Sequence, residues 1–429
     1  MVVNTGILNG ELTQSGSAWR PAPRMLSVVI PAWNEERGIA DILQRVDATR
    51  ASLRAVGIEE LEIIIVDDGS RDRTAEIVES FACARLIRHP INRGYGAAIK
   101  TGFAGARGDL VAFLDADGTY PPERFADLCR AAHEQDADVV VGSRRSGAAS
   151  QMPMVRRIGN FVWSNLVSLI GNHRVADPAS GMRVLRRSAL ARLQPLPDGL
   201  NFTPVMSTRA VHEGLRVVEL PIAYSERVGR SKLSVVRDGT RFLTTILSTS
   251  LEYNPVRVLG LVGLVALGGA AVIGLGVLAL RLQGVTQLDI WGTFGLFTAL
   301  VLAVAGVSLF ALGATFNYLV SLFRRQPVRQ GLLGRPLFAA PLDRQFGWLG
   351  LAAGGLGAGL GLTTLLLGLF GQWEISRLWF WLLVSALLTL VGLQLVISWV
   401  LMRILERLSE QQPWSAGQGE TPAGTPVRS

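Results

Sequence analysis

The sequence predicts an α/β domain built on a mostly parallel sheet, followed by an all-α membrane domain of four transmembrane helices. Three observations carry this reading. Short apolar strands alternate with helical spacings over roughly 120 residues of the first half. Acidic or amide clusters sit where three of those strands end, the edge at which open α/β sheets bind ligands. Beyond residue 255 the chain turns almost wholly apolar, in stretches long enough to cross a bilayer.

Residues 1–24 are polar, with Gly, Ser and Pro, and read as a disordered tail with no signal peptide. Leu26–Ile30 is the first strand and runs into Pro31-Ala32-Trp33-Asn34-Glu35-Glu36. Ile39, Ile42, Leu43 and Val46 then recur at helical spacing. The second strand, Leu61–Val66, ends in Asp67-Asp68-Gly69-Ser70, where Ser70, followed by Asp72 and Thr74, reads as the N-cap of a helix through Ile77 and Val78. A glycine-rich turn, Gly94-Tyr95-Gly96, precedes a helical pattern of Ala97, Ala98 and Phe103. The run Asp109–Leu114 is short, apolar and opened by a Gly-Asp turn, so it reads as a buried strand with Asp115 and Asp117 at its carboxyl end. Alternate residues on an extended chain point the same way, so both carboxylates can reach one hard cation such as Mg²⁺ or Mn²⁺.

Four spans are expected: Val256–Leu280, about Trp291–Phe323, Phe346–Phe370 and Leu378–Met402. The connection from Arg324 to Arg344 carries five Arg and one Asp, whereas the other two connections each carry one basic and one acidic residue. The positive-inside rule then puts the central loop, the N-terminal domain and the tail in the cytoplasm. Two further stretches have apolar faces with basic flanks. Ile158, Phe161, Val162, Leu166, Leu169 and Ile170 follow Arg156 and Arg157; Val235, Val236, Phe242, Leu243, Ile246, Leu247 and Leu251 lie beside Arg237 and Arg241. Each fits a helix lying in the membrane interface or one packed against the sheet.

Charge and rare residues narrow the function. The net charge of +8 suits an anionic membrane surface, and with no nucleic-acid motif present no nucleic-acid partner is expected. Cys83 and Cys129 lack metal or redox spacing and read as reduced packing residues, and the four histidines are scattered. Of 42 basic residues only Lys100 and Lys232 are lysine. A compact ammonium binds phosphate as a point charge where a planar guanidinium does not fit, which marks both positions.

Pro31-Ala32-Trp33-Asn34-Glu35, Val66-Asp67-Asp68-Gly69-Ser70, Asn92-Arg93-Gly94, Asp115-Ala116-Asp117 and Asp177-Pro178-Ala179-Ser180-Gly181-Met182-Arg183 together resemble family 2 glycosyltransferases with the GT-A fold. The later Glu226-Arg227-Val228-Gly229-Arg230-Ser231-Lys232-Leu233 is similar to the polyprenyl-phosphate hexosyltransferases, the dolichol-phosphate mannose synthase group. The resemblance covers about residues 25–255. It implies a tail at 1–24, a GT-A domain at 25–232, an interfacial amphipathic helix at 233–255, the four-helix domain at 256–403 and a cytoplasmic tail at 404–429. One departure stands out: the group often has a glutamine soon after Asp-Ala-Asp, and here Gly118-Thr119-Tyr120-Pro121-Pro122-Glu123 follows, so donor identity is not carried over.

The implied activity is transfer of a hexosyl residue from a UDP- or GDP-linked sugar to a membrane polyprenyl phosphate. Asp115 and Asp117 would hold the metal on the leaving diphosphate. Pro31, Ala32, Glu35 and Asp68 would line the nucleoside pocket, with Lys100 and Asp115 also on the nucleotide side, and Asp67 serving either the pocket or the turn. Trp33 reads equally as a stacking platform for the base or as plain packing. The acceptor phosphate would meet Arg144, Arg156, Arg183, Arg227, Ser231 and Lys232, of which Arg227 and Lys232 are the strongest candidates. Asp177 either contacts sugar hydroxyls as a catalytic-site residue or serves an Asp-Pro turn. A lipid monophosphate is largely dianionic at pH 7, its second pKa being about 6, so it needs positioning and not a general base. One in-line displacement would invert the anomeric centre. The expected setting is a bacterial inner membrane, with a homo-oligomer formed through the transmembrane helices as a further expectation.

Three rivals differ in class. A processive polysaccharide synthase should carry Gln-x-x-Arg-Trp, and no Arg-Trp pair occurs in the chain. A non-catalytic transporter or scaffold would not need carboxylates at three strand ends. A working transferase acting on another membrane lipid, or fused to a flippase-like or partner-binding module, stays open, because the spans hold almost no charge to mark a pathway.

Overall fold

The computed structural model describes residues 24–144, 154–171, 174–225, 235–285, 289–324, 345–370 and 375–411. They form two compact units, Met1–Val167 with Arg174–Phe242, and Ser168–His173 with Leu243–Ser429.

The first unit is built on a seven-stranded sheet: β1 (Met25–Ala32), β2 (Glu60–Asp67), β3 (Ala84–Arg88), β4 (Leu110–Leu114), β5 (Val139–Ser143), β6 (Met182–Arg186) and β7 (Val217–Pro221), in the order β3-β2-β1-β4-β6-β5-β7. All neighbours run parallel except β6, which is antiparallel to β4 and β5. The helices are α1 (Ile39–Ala48), α2 (Arg50–Arg54), α3 (Thr74–Glu79), α4 (Tyr95–Gly105), α5 (Phe125–Glu134), α6 (Met154–Gly171), α7 (Leu190–Leu193), α8 (Phe202–His212) and α9 (Val235–Tyr253).

The near-continuous apolar runs of β1, β2 and β4 follow from burial on both faces. Leu26, Val28, Ile30, Ile63, Ile65, Ala112 and Leu114 pack with Ile39, Leu43, Phe125 and Leu128 of α1 and α5. Val29, Ile64, Val66, Val111 and Phe113 face the other way, onto Ile99 and Phe103 of α4 and Phe202 and Met206 of α8. Strand order reverses at β1, which has β2 on one side and β4 on the other; in open α/β sheets ligands bind beyond the carboxyl ends at such a switch point.

The reversed strand β6 brings a distant loop to this edge. Its first residue, Met182, pairs with Leu114, the last of β4. Residues 177–181, which lead into β6, therefore lie at the same edge as Asp115 and Asp117, although about sixty residues separate them in sequence. One local expectation is corrected. Ser70 does not cap α3, whose N-cap is Arg73 without a side-chain cap bond; Asp72 Oδ1 instead accepts from Thr74 N at 3.0 Å.

The second unit contains α10 (Pro255–Leu282), α11 (Ile290–Arg324), α12 (Phe346–Phe370) and α13 (Ile375–Gln411). Pro255–Leu282, Ile290–Val320, Phe346–Phe370 and Leu378–Arg407 are each long and apolar enough to cross a membrane, close to the expected spans, and the chain is an integral membrane protein. Small residues let the helices approach: a Cβ on Gly263 would come 2.6 Å from the Gly306 carbonyl, and one on Gly357 would come 2.6 Å from Thr389 N. Ser385 Oγ also donates to the Gly357 carbonyl across the α12–α13 seam at 2.8 Å.

Candidate active site

Five segments meet at the carboxyl edge of the sheet. The loops after β1 and β2 are laced by reciprocal hydrogen bonds. Asn34 N donates to Ser70 Oγ at 2.9 Å, Arg71 N to Asn34 Oδ1 at 2.8 Å, and Glu35 N to Thr74 Oγ1 at 2.9 Å. Asn34 takes a left-handed backbone, φ 53°, which asparagine tolerates better than most residues. Pro31 and Glu35 are half-buried, Ala32 is buried, and Trp33 is 40% exposed on the rim.

The paired aspartates after β2 are both internal. Asp67 Oδ1 accepts from Ser70 N at 3.0 Å, which is the turn role. Asp68 is 3% exposed; its Oδ1 meets His89 Nδ1 at 2.7 Å and accepts from Arg93 N at 2.9 Å, while Oδ2 accepts from Gly94 N at 2.8 Å. Asp68 thus shapes the turn at Arg93–Gly94. His89 passes the connection on to Thr101 Oγ1 at 2.9 Å.

Lys100, on α4, has partners within the chain. Its Nζ pairs with Asp198 Oδ1 at 2.6 Å and donates to the Leu196 carbonyl at 2.9 Å. The first amides of α4 are occupied too, with Gly96 N at 2.7 Å and Ala97 N at 3.1 Å from the Asp198 carbonyl. Helix start and ammonium together hold the loop at Leu196–Asp198.

Asp115 and Asp117 are half-buried at the edge. Tyr95 Oη donates to Asp115 Oδ1 at 2.7 Å. The Tyr95 hydroxyl is deeply enclosed while its ring keeps some exposure, and burial, reinforced by the Asp115 charge, holds its pKa well above the usual tyrosine range. Asp117 Oδ1 accepts from Thr119 Oγ1 at 2.6 Å and Thr119 N at 3.2 Å, closing a small turn. Among the described residues no three or more His, Cys, Asp or Glu come together. Two hard carboxylates with substrate phosphates completing the shell are the donor set Mg²⁺ favours, so these residues fit a divalent ion.

Asp177 is fully buried and forms a two-pronged ion pair with Arg144, Nε to Oδ2 and Nη2 to Oδ1, both 2.7 Å. Burial opposes ionisation of Asp177, but the guanidinium outweighs it and holds the carboxyl below its usual value. The Arg144 guanidinium lies over the rings of Tyr120 and Tyr224, 5.9 and 5.6 Å from their centroids. Behind this pair, Glu219 of β7 accepts from Ala176 N at 2.9 Å and Asp177 N at 3.2 Å. Arg183 is 0% exposed, its Nη2 donating to the Pro178 carbonyl at 2.7 Å and its Nε to that of Ser180 at 3.2 Å. Burial lowers its pKa to about 10, against the pull of Asp177. Arg183 therefore holds the 177–181 loop from beneath, and the Asp177 carboxylate pairs with Arg144.

Arg227, Ser231 and Lys232 lie outside the described residues. Ser225, just before them, donates its amide to the Thr119 carbonyl at 3.0 Å, two residues past Asp117. Arg156 lies on α6, its side chain outside the described residues. That helix turns its polar Asn160 and Ser164 inward, while Met154, Ile158, Phe161, Val162 and Leu169 are 49–78% exposed. Of the two readings of this stretch, the exposed apolar face is the one a membrane interface calls for.

Tyr224, Glu219 and His89 are neighbours of this site that sequence reading did not mark; of these Glu219 left a signal, a carboxylate inside the strand run Val217–Leu220.

Residues 27–194 match glycosyl transferase family 2, and residues 255–414 match a domain of unknown function. The undecaprenyl-phosphate 4-deoxy-4-formamido-L-arabinose transferase of Pseudomonas paraeruginosa is 35% identical over 317 residues, 69% of this chain and 85% of the relative. The low-salt glycan biosynthesis hexosyltransferase of Haloferax volcanii is 32% identical over 296 residues, 67% of each chain. Among solved structures, glucosyl-3-phosphoglycerate synthase from Mycobacterium tuberculosis aligns with 53% of this chain and 80% of that one, at 22% identity and a TM-score of 0.42. With its mostly parallel sheet, its strand-end carboxylates and these relatives, the chain belongs to glycosyl transferase family 2: it is a membrane-embedded glycosyltransferase of the GT-A fold.

Proposed function

We propose that the protein transfers a hexosyl residue from a UDP- or GDP-linked sugar to a membrane polyprenyl phosphate, with inversion, on the cytoplasmic face. The observation that carries this is the tether between Ser225 and Thr119, which holds the residue immediately before Glu226–Leu233 in sequence to the backbone two residues past Asp117. The two strong phosphate-binding candidates, Arg227 and Lys232, follow Ser225 closely in sequence, which supports an acceptor phosphate near the carboxylates that would face the donor. The Pseudomonas relative, named for undecaprenyl phosphate, supports the acceptor class.

Pro31, Ala32 and Glu35 would receive the nucleoside, with Trp33 on the rim. Asp115 and Asp117 would hold Mg²⁺ or Mn²⁺, which when bound neutralises the diphosphate as it leaves. Arg227 and Lys232, with Ser231 and Arg156, would hold the lipid phosphate as a dianion, positioning its oxygen and offsetting its repulsion from the donor. Arg144, a further candidate for the phosphate, is held in its ion pair with Asp177. No proton has to be removed from the acceptor at pH 7, where its second ionisation, of pKa about 6, is largely complete.

Membranes containing the protein, incubated with a panel of radiolabelled UDP- and GDP-sugars and then extracted with organic solvent, test the proposal. Label should move into a lipid that mild acid releases as free sugar, and only with a divalent cation present. Label confined to water-soluble products or to polymer would refute it.

A further inference from the structure

We propose that Tyr95 is a positioning residue for the donor site, fixing the Asp115 carboxylate through its hydroxyl, with Gly181 keeping the space in which that carboxylate lies. The inference rests on the reading of Asp115 and Asp117 as donor-binding residues and adds what aims one of them.

Asp115 stands one residue beyond β4, where the strand no longer restricts its side chain. Two contacts from distant parts of the chain remove that freedom. Tyr95 Oη donates to Oδ1 at 2.7 Å. On the opposite side, a Cβ on Gly181 would lie 2.1 Å from Oδ2 and 2.5 Å from Cγ, so any side chain there displaces the carboxylate.

Both walls are themselves fixed. Tyr95 is the first residue of α4, placed by Gly94 at φ 106°, and its ring meets the edge of Phe202 at 6.3 Å. A Cβ on Gly94 would lie 2.6 Å from the Asp198 carbonyl, so the turn admits little else. Gly181 N donates to Tyr120 Oη at 2.7 Å, and Tyr120 lies under Arg144. The segment that ends in the Arg144–Asp177 pair therefore also walls the donor carboxylate.

The test uses the full-length protein in detergent and Tyr95→Phe, which keeps the ring and deletes the hydrogen bond. Titration calorimetry with UDP and with GDP, each with Mn²⁺, should show binding weakened about tenfold, the loss expected for a hydrogen bond to a charged group. The donor KM should rise similarly, while the lipid-phosphate KM and the thermal midpoint hold. Gly181→Ala, which leaves the tyrosine intact, should give the same donor-selective loss and decides the matter if Tyr95→Phe lowers the yield of folded protein. Wild-type nucleotide affinity in both variants, or an equal loss for both substrates, overturns the proposal. Asp115→Asn in the same titration then separates the cases: if it loses binding, only the role of Tyr95 and Gly181 falls, and if it too binds normally, the donor-site reading falls with it.

Discussion

Arg144 and Asp177 meet fork to fork at 2.7 Å on both prongs, with Asp177 fully buried and the Arg144 side chain 12% exposed. A planar guanidinium suits this geometry as an ammonium would not. The pair joins the end of β5 to the loop before β6, so it fixes the antiparallel strand's approach to Asp115. Removing one partner of such a pair leaves an uncompensated buried charge, at a cost of about 3–5 kcal/mol.

Asp177→Asn should therefore lower the thermal midpoint of the full-length protein sharply. Because the folded pKa of Asp177 lies below its ordinary 3.8, its share of stability is present above that pH and is lost only as pH falls through the folded value. Unfolding measured from pH 8 down to pH 3 should show the wild type converging on the variant only at the acid end. A constant gap across the whole range would contradict the ion-pair assignment.

Asp115→Asn and Asp117→Asn should each cut turnover by orders of magnitude, roughly 10²-fold or more, and weaken Mn²⁺-dependent nucleotide binding, since a site of two carboxylates loses both charge and geometry. Turnover and donor affinity that survive in Asp117→Asn would show that the metal lies elsewhere.

Lys100 gives an opposite expectation. With its ammonium bound to Leu196 and Asp198, Lys100→Met should cost about 1 kcal/mol of stability and change nucleotide affinity less than about twofold. A tenfold weaker nucleotide Kd would restore the phosphate-binding role.

Orientation is testable by labelling. A single cysteine introduced near Arg329 should react with an impermeant maleimide only after the cells are opened, since the positive-inside rule predicts a cytoplasmic five-Arg connection. Reaction in intact cells would invert the proposed topology.

The fold was legible because its signals are local. Apolar runs of strand length ending in Asp67-Asp68 and Asp115, and spans of hydrocarbon thickness, need no tertiary knowledge. What sequence could not show were relationships made by topology. The reversal of β6 brings residues 177–181 beside Asp115, and nothing near Asp177 in sequence announces that its partner is Arg144. Rarity marks Lys100 as unusual, but whether an ammonium meets a phosphate or a loop carbonyl depends on where residues 196–198 fold back.

The central claim is an acceptor of lipid and phosphate together, held by Lys232. The measurement is initial transfer rate to a polyprenyl phosphate and to the matching unphosphorylated polyprenol, in wild type and Lys232→Ala, with nucleotide affinity measured alongside. Wild type should transfer only to the phosphate. Lys232→Ala should need tenfold or more lipid phosphate, the loss of a charge-assisted contact of roughly 1.5–3 kcal/mol, with nucleotide affinity nearly unchanged. Comparable transfer to the unphosphorylated lipid, or lipid-phosphate kinetics unaltered in Lys232→Ala, would contradict the account.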